Sequence, residues 1–242
     1  MASSSDGSKL AAAVANGYIY TSTDSGTTWT QQNNSGSRVW WSIASSSDGT
    51  YLAAVVYNGY IYTSIDSGTS WTEQTSAGSR DWYSIASSSD GTKLAAVVFN
   101  GYIYTSTDSG STWTQQTNAG SRAWKTIASS SDGTKLAAGV YNGYIYTSTD
   151  SGSTWTQQTS AGSGYWWSIA SSSDGTKLAS TNVGNGYIYT SVESSRAIET
   201  GFKVNGQDLN QIFSPYVSGT KANTTGYEVT GNDLCNIFAK LT

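Results

Sequence analysis

Apolar residues along this chain come in short runs separated by polar turn residues. Between positions 124 and 158 there are four such runs, WKTIAS (124–129), KLAAGV (135–140), YIYTST (144–149) and TWTQQ (154–158), joined by SDGT, NG and DSGS. Asn, Asp and Gly tolerate the positive φ angles of tight hairpins, so the pattern predicts four short antiparallel strands. The same unit recurs along the chain. YIYTSTDSGSTW at 144–155 is repeated letter for letter at 102–113, and aligning Ile43, Ile85, Ile127 and Ile169 gives a period of 42 residues. The chain therefore reads as four full copies and a partial fifth that ends near Ser191. Copies 85–126 and 127–168 differ at only seven positions, which points to recent duplication.

Four antiparallel strands repeated about every 40 residues predict the blades of a propeller, in which radial closure hides the sheet edges. In the last copy the third-to-fourth turn decays to YTSVESSRA (189–197) and no fourth strand follows. The expected fold is all-β, a five-bladed β-propeller over residues 1–192 whose last blade is incomplete. A small α+β tail of two repeats, offset by 25 residues, occupies 197–242. In the tail, TGFKVNGQDLNQIF (200–213) and TGYEVTGNDLCNIF (225–238) each read as a strand, a Gly turn and a short helical stretch. There Leu209, Ile212 and Phe213, and again Leu234, Ile237 and Phe238, form one apolar stripe. Units this small cannot bury such a stripe alone, so they must pack on each other, on the propeller or on another chain, and the stripe is a candidate assembly surface.

Composition narrows the classes. Only 12% of residues are charged, there is no His, and the net charge is −4. That balance gives no footprint for nucleic acid or an anionic membrane and counts against polyanions in general. No apolar run is long enough to cross a bilayer as a helix, so membrane insertion is not expected. The lone Cys235 rules out an internal disulfide. Asn33 and Asn223 begin N-x-S/T triplets, which matter only in a glycosylating pathway.

The turn between the third and fourth strands reads Ser-x-Asp-x-Gly-x-x-Trp in four copies. It supplies Asp24 and Trp29, Asp66 and Trp71, Asp108 and Trp113, and Asp150 and Trp155. This resembles the Asp-box (BNR) repeat of sialidase-like and related lectin-like propellers, over residues 1–192. The residues themselves read as structure: Asp accepts backbone N–H bonds across its turn, Gly takes the strained dihedral, and Trp packs between blades. Turn bonding also accounts for these aspartates better than calcium does, and no metal or cofactor is expected. The tail is similar to short repeats in structural proteins of large algal viruses, which implies a surface-exposed, assembling protein at a virion or outside the cell.

Because strand direction alternates, the aspartate turns fall at one rim, and the NGY turns and interblade links at the other. Differences between copies gather at the second rim. They include Tyr57, Phe99 and Tyr141, Arg38, Arg80 and Arg122 where the last copy has Gly164, and Trp41, Tyr83, Lys125 and Trp167. Exposed rings beside polar groups suit sugars, whose C–H faces stack on aromatics. These ten residues are therefore candidate glycan contacts, against a plainer reading in which they drifted freely after duplication. Trp40, Trp82, Trp124 and Trp166 read as core.

Catalysis is not expected. The sialidase resemblance implies three converging arginines, a Tyr–Glu pair and an acidic Asp. Here Arg38, Arg80 and Arg122 are repeat-equivalent and radiate, while Glu is confined to positions 73, 193, 199 and 228. The function expected from the unfinished blade and the tail is a non-enzymatic structural protein. Its partner would be itself, in a homo-oligomer or filament. The alternative is a lectin with repeated aromatic pockets that bind glycans multivalently.

Overall fold

In the computed structural model, residues 1–191 and two short strands of the tail, Lys203–Val204 and Gln207–Asp208, are described. The chain divides into two units, Met1–Glu193 and Ser194–Thr242. In the second, Lys203 pairs with Asp208 and Val204 with Gln207. The predicted tail stripe (Leu209, Ile212, Phe213, Leu234, Ile237, Phe238) and Asn223 lie outside the described residues.

The first unit is built of five successive antiparallel sheets. Blade 1 comprises Ala2–Ser3, Leu10–Ala13, Ile19–Ser22 and Thr30–Gln32. Blade 2 comprises Arg38–Ser45, Leu52–Val56, Ile61–Ser64 and Thr72–Gln74. Blade 3 follows with Trp82–Ser87, Leu94–Gly101, Ile103–Ser106 and Thr114–Gln116. Blade 4 is Arg122–Ser129, Leu136–Gly143, Ile145–Ser148 and Thr156–Gln158. In blade 5, Gly164–Ser171, Leu178–Asn182 and Tyr187–Thr190 are described.

The core lies between blades. Ala95, Val97 and Ile103 of blade 3, for example, pack on Trp124, Ile127, Leu136 and Ala138 of blade 4. Trp40, Trp82, Trp124 and Trp166 are all but fully buried, each with a tyrosine edge-on to it about 5 Å away. Burying a ring of that size makes each tryptophan a main contributor to its interface.

Two sets of backbone bonds stitch the blades together. At one rim, Ser5, Ser47, Ser89 and Ser131 donate their N–H to the carbonyls of Ser47, Ser89, Ser131 and Ser173, each at 2.7 Å. At the other, the end of one blade's second strand pairs with the next blade's first strand, as in Phe99 with Ala123 and Tyr141 with Tyr165. Among the described residues no strand pairing joins blade 5 to blade 1, and the pairing that hides edges among them lies inside the stack. The side chains facing outward at its ends record this. Ile188 of blade 5 is 74% exposed where its counterparts Ile61 and Ile103 are fully buried, and Trp29 of blade 1 is exposed where Trp71, Trp113 and Trp155 are half-buried.

Candidate functional site

The rim of aspartate turns is saturated by its own bonds. In blade 3 the Ser106 hydroxyl donates to Asp108 Oδ1 (2.8 Å), the Thr112 N–H to the same oxygen (2.9 Å) and the Thr112 hydroxyl to Oδ2 (2.6 Å). The Gly110 N–H donates to Ser106 Oγ at 2.9 Å, and Trp113 Nε1–H to the Gly110 carbonyl at 2.8 Å. Asp24, Asp66 and Asp150, with Trp29, Trp71 and Trp155, repeat this arrangement. Hydrogen bonds from Thr154, first its hydroxyl, then its N–H, hold the Asp150 carboxyl at about 2. Ser67 and its equivalents sit at φ near 57° just before the turn glycine, a left-handed position that a serine rarely adopts. Its N–H is tied to the Thr50 carbonyl of the neighbouring turn at 2.9 Å. Among the described residues no group of three or more His, Cys, Asp or Glu side chains is placed to hold a metal ion.

The opposite rim is different. Trp41, Tyr83, Lys125 and Trp167 occupy one repeat position in blades 2 to 5, and their side chains meet. Lys125 Nζ lies 3.8 Å from the Trp167 ring centre, 4.3 Å from Tyr83 and 5.7 Å from Trp41. Equivalent residues of four blades converge in this way only when the blades radiate about a common axis. From that centre the rings continue outward without a break. Trp41 and Tyr57 are 5.5 Å apart, Tyr83 and Phe99 4.8 Å, Phe99 and Tyr141 6.4 Å, and Tyr141 and Tyr165 4.9 Å. The predicted separate pockets are thus one merged surface. Tyr165 belongs to it although sequence reasoning passed it over; the signal was its place among the seven positions that distinguish the near-identical copies.

A β-bulge sets this geometry. Between Trp40 and Ser42 the register shifts by one, and the same break recurs at Trp82, Trp124 and Trp166. The first tryptophan of each pair is thereby buried between blades while the next side chain points to the axis. Trp41 and Trp167 are about half exposed, at 45% and 50%.

The arginines are engaged elsewhere. Arg38, Arg80 and Arg122 each donate Nε–H to a link carbonyl (Ser35, Ala77 and Ala119) and lay the guanidinium over Tyr62, Tyr104 and Tyr146, 4.5–4.8 Å from the ring centres. Arg80 also lines an open cavity of about 440 Å³, with Asp81, Phe99, Tyr102 and Ser121. Asn33 is exposed, at the start of a short 3₁₀ turn, Asn33–Ser35.

One Tyr–Glu pair does form: the Tyr62 hydroxyl donates to Glu73. Burial, reinforced by that bond, pushes the Tyr62 phenol up to about 12, away from the ionised state of a nucleophile. Its counterparts Tyr20, Tyr104 and Tyr146 donate in the same way to Gln31, Gln115 and Gln157. The pair is therefore one copy of a repeated cross-strand bond.

The geometry is that of a β-propeller protein, and solved structures agree. A GH74 enzyme of Niastella koreensis matches with a TM-score of 0.59 at 19% identity, over 76% of this chain and 34% of that one. The Cps50 (Swd1) β-propeller domain of Myceliophteria thermophila matches at 0.61 and 15%, over 77% and 66%. YCF48 bound to D1 peptide matches at 0.55 and 18%, over 72% and 57%. This chain thus spans about a third of the GH74 enzyme's length. No protein-family model and no curated protein matches the sequence. At such identities the likeness establishes the fold alone. It overturns the expectation of a self-assembling fibre or virion component: the propellers that lead the comparison are those of GH74 glycoside hydrolases, and the tail stripe invoked for that expectation lies outside the described residues.

Proposed function

We propose that the aromatic rim of blades 2 to 5 binds carbohydrate on one extended surface and performs no chemistry on it. The observation that carries this reading is the unbroken series of rings from Trp41 through Tyr83 and Phe99 to Tyr141 and Tyr165, which the Lys125 ammonium joins to Trp167. Exposed aromatic rings suit the C–H faces of pyranoses, and partly exposed Trp and Tyr combine apolar area with a polar tip. One of the similar propellers belongs to a xyloglucanase of Xanthomonas campestris, which supports a saccharide ligand without carrying its chemistry across. The non-catalytic part of the proposal rests on the Tyr62–Glu73 pair being structural and on the arginines being held on separate rings. We read the Ser-x-Asp-x-Gly-x-x-Trp turns as Asp boxes that build the scaffold.

Titrating the purified chain with cellohexaose and other oligosaccharides while following tryptophan fluorescence tests the proposal. Binding that is lost in Trp41→Ala and Trp167→Ala, with unchanged melting, is the expected result. Equal binding by the double variant, or none by the parent across a broad glycan panel, rejects it.

A further inference from the structure

Within this proposed carbohydrate surface, Lys125 stands out. It occupies the position that Trp41, Tyr83 and Trp167 fill in the other blades, so a cation replaces a ring at the centre of the cluster. Its ammonium is ringed by three aromatic faces, and burial among them lowers the amine's affinity for its proton. No carboxylate among the described residues contributes to that shift. An ammonium has three donors, and aromatic faces attract it without accepting a full hydrogen bond.

The electrostatics of the two rims point the same way. The chain is acidic overall, which counts against polyanions when read from composition. Yet nine described aspartates (6, 24, 48, 66, 90, 108, 132, 150 and 174) belong to the turns of the opposite rim, against four lysines there (9, 93, 135 and 177). On the aromatic side Arg38, Arg80, Arg122 and Lys125 stand against Asp81 and Glu73, and Glu73 is bonded to Tyr62. Net charge therefore misstates the field that a ligand on this face meets.

We infer that the ligand is an acidic glycan, with the carboxylate of a uronate residue received by Lys125 while its ring and those beside it stack on Trp167, Tyr83 and Trp41. A uronate carries its carboxylate at the edge of the pyranose. A ring lying on one aromatic face can therefore present the charge to an ammonium held between the faces. A charge-assisted bond made in such a partly desolvated place is stronger than one in open water. The inference rests on the carbohydrate reading, and the experiment separates the two.

Hexagalacturonate, its fully methyl-esterified form and cellohexaose are titrated against the full chain and against Lys125→Met and Lys125→Arg. The acid should bind about tenfold or more tightly than its ester, the equivalent of about 1.4 kcal/mol. Lys125→Met should abolish that preference while neutral binding persists, and Lys125→Arg should restore part of it. Equal binding of acid and ester by the parent, or a preference that survives Lys125→Met, overturns the acidic ligand and leaves a neutral glycan surface. Failure of all three saccharides to bind, with Trp41→Ala indistinguishable from the parent, overturns the carbohydrate reading and this inference together.

Discussion

The two rims of the propeller are made from the same repeat and obey different rules. At the aspartate rim every copy solves the same local problem, with a carboxylate closing its own turn and a serine ladder tying blade to blade. At the aromatic rim equivalent positions hold Trp, Tyr, Lys and Trp, and these unlike side chains share one space about the axis. The contrast teaches that identity between copies marks residues whose partners lie within a blade or at its neighbour. Divergence is tolerated where partners come from several blades at once and only the sum of the contacts matters.

The largest effect expected from breaking this comparison lies in the invariant core. Trp124→Ala should cost about 3–5 kcal/mol in urea unfolding, as for other buried aromatic truncations, whereas Trp167→Ala on the variable rim should leave the midpoint nearly unmoved. A similar loss from both would erase the distinction. Next in size, Tyr83→Ala should weaken glycan binding about tenfold while leaving secondary structure by circular dichroism intact; a variant that binds normally would remove the central ring from the surface. Acid should act on the opposite rim. Asp24 and Asp150 are held at about 2 in the folded chain against 3.8 unperturbed. The unfolded state therefore takes up protons first, and the stability these turns contribute is present above about pH 4 and lost as pH falls toward 2. Asp150→Asn should flatten that part of a melting-temperature profile, and an unchanged acid limb would show that the turns do not control it. The smallest effect belongs to Glu73→Gln, which converts the odd pair into the form of its sisters. Its stability should change by less than about 0.5 kcal/mol at neutral pH, and a large change would mean that Glu73 does more than its glutamine counterparts.

Much of the scaffold was legible before any coordinates, because it is written locally. The period of 42 residues, the Asn-Gly and Asp-Gly turns and the paired tryptophans are each set by neighbours within a few positions. What could not be read was convergence. Strict alternation does not reveal the bulge at Trp40 to Ser42, so nothing in the sequence says that Trp41 is aimed at the axis or that Lys125 will meet residues two blades away. The arginines posed the reverse problem. They lie close in sequence to the aromatic positions, yet each is bound to a backbone carbonyl and a separate tyrosine.

The serine ladder has a kinetic consequence. Blades 2, 3 and 4 are each held from both sides, while the end blades of the described stack are held from one. For an array stabilised mainly by nearest-neighbour contacts, the cost of opening a unit rises with the number of neighbours it must leave. Amide protons in Leu94–Gly101 should consequently exchange with deuterium more slowly than those in Leu10–Ala13 or Leu178–Asn182. Repeat-equivalent segments would then differ in lifetime with their place in line.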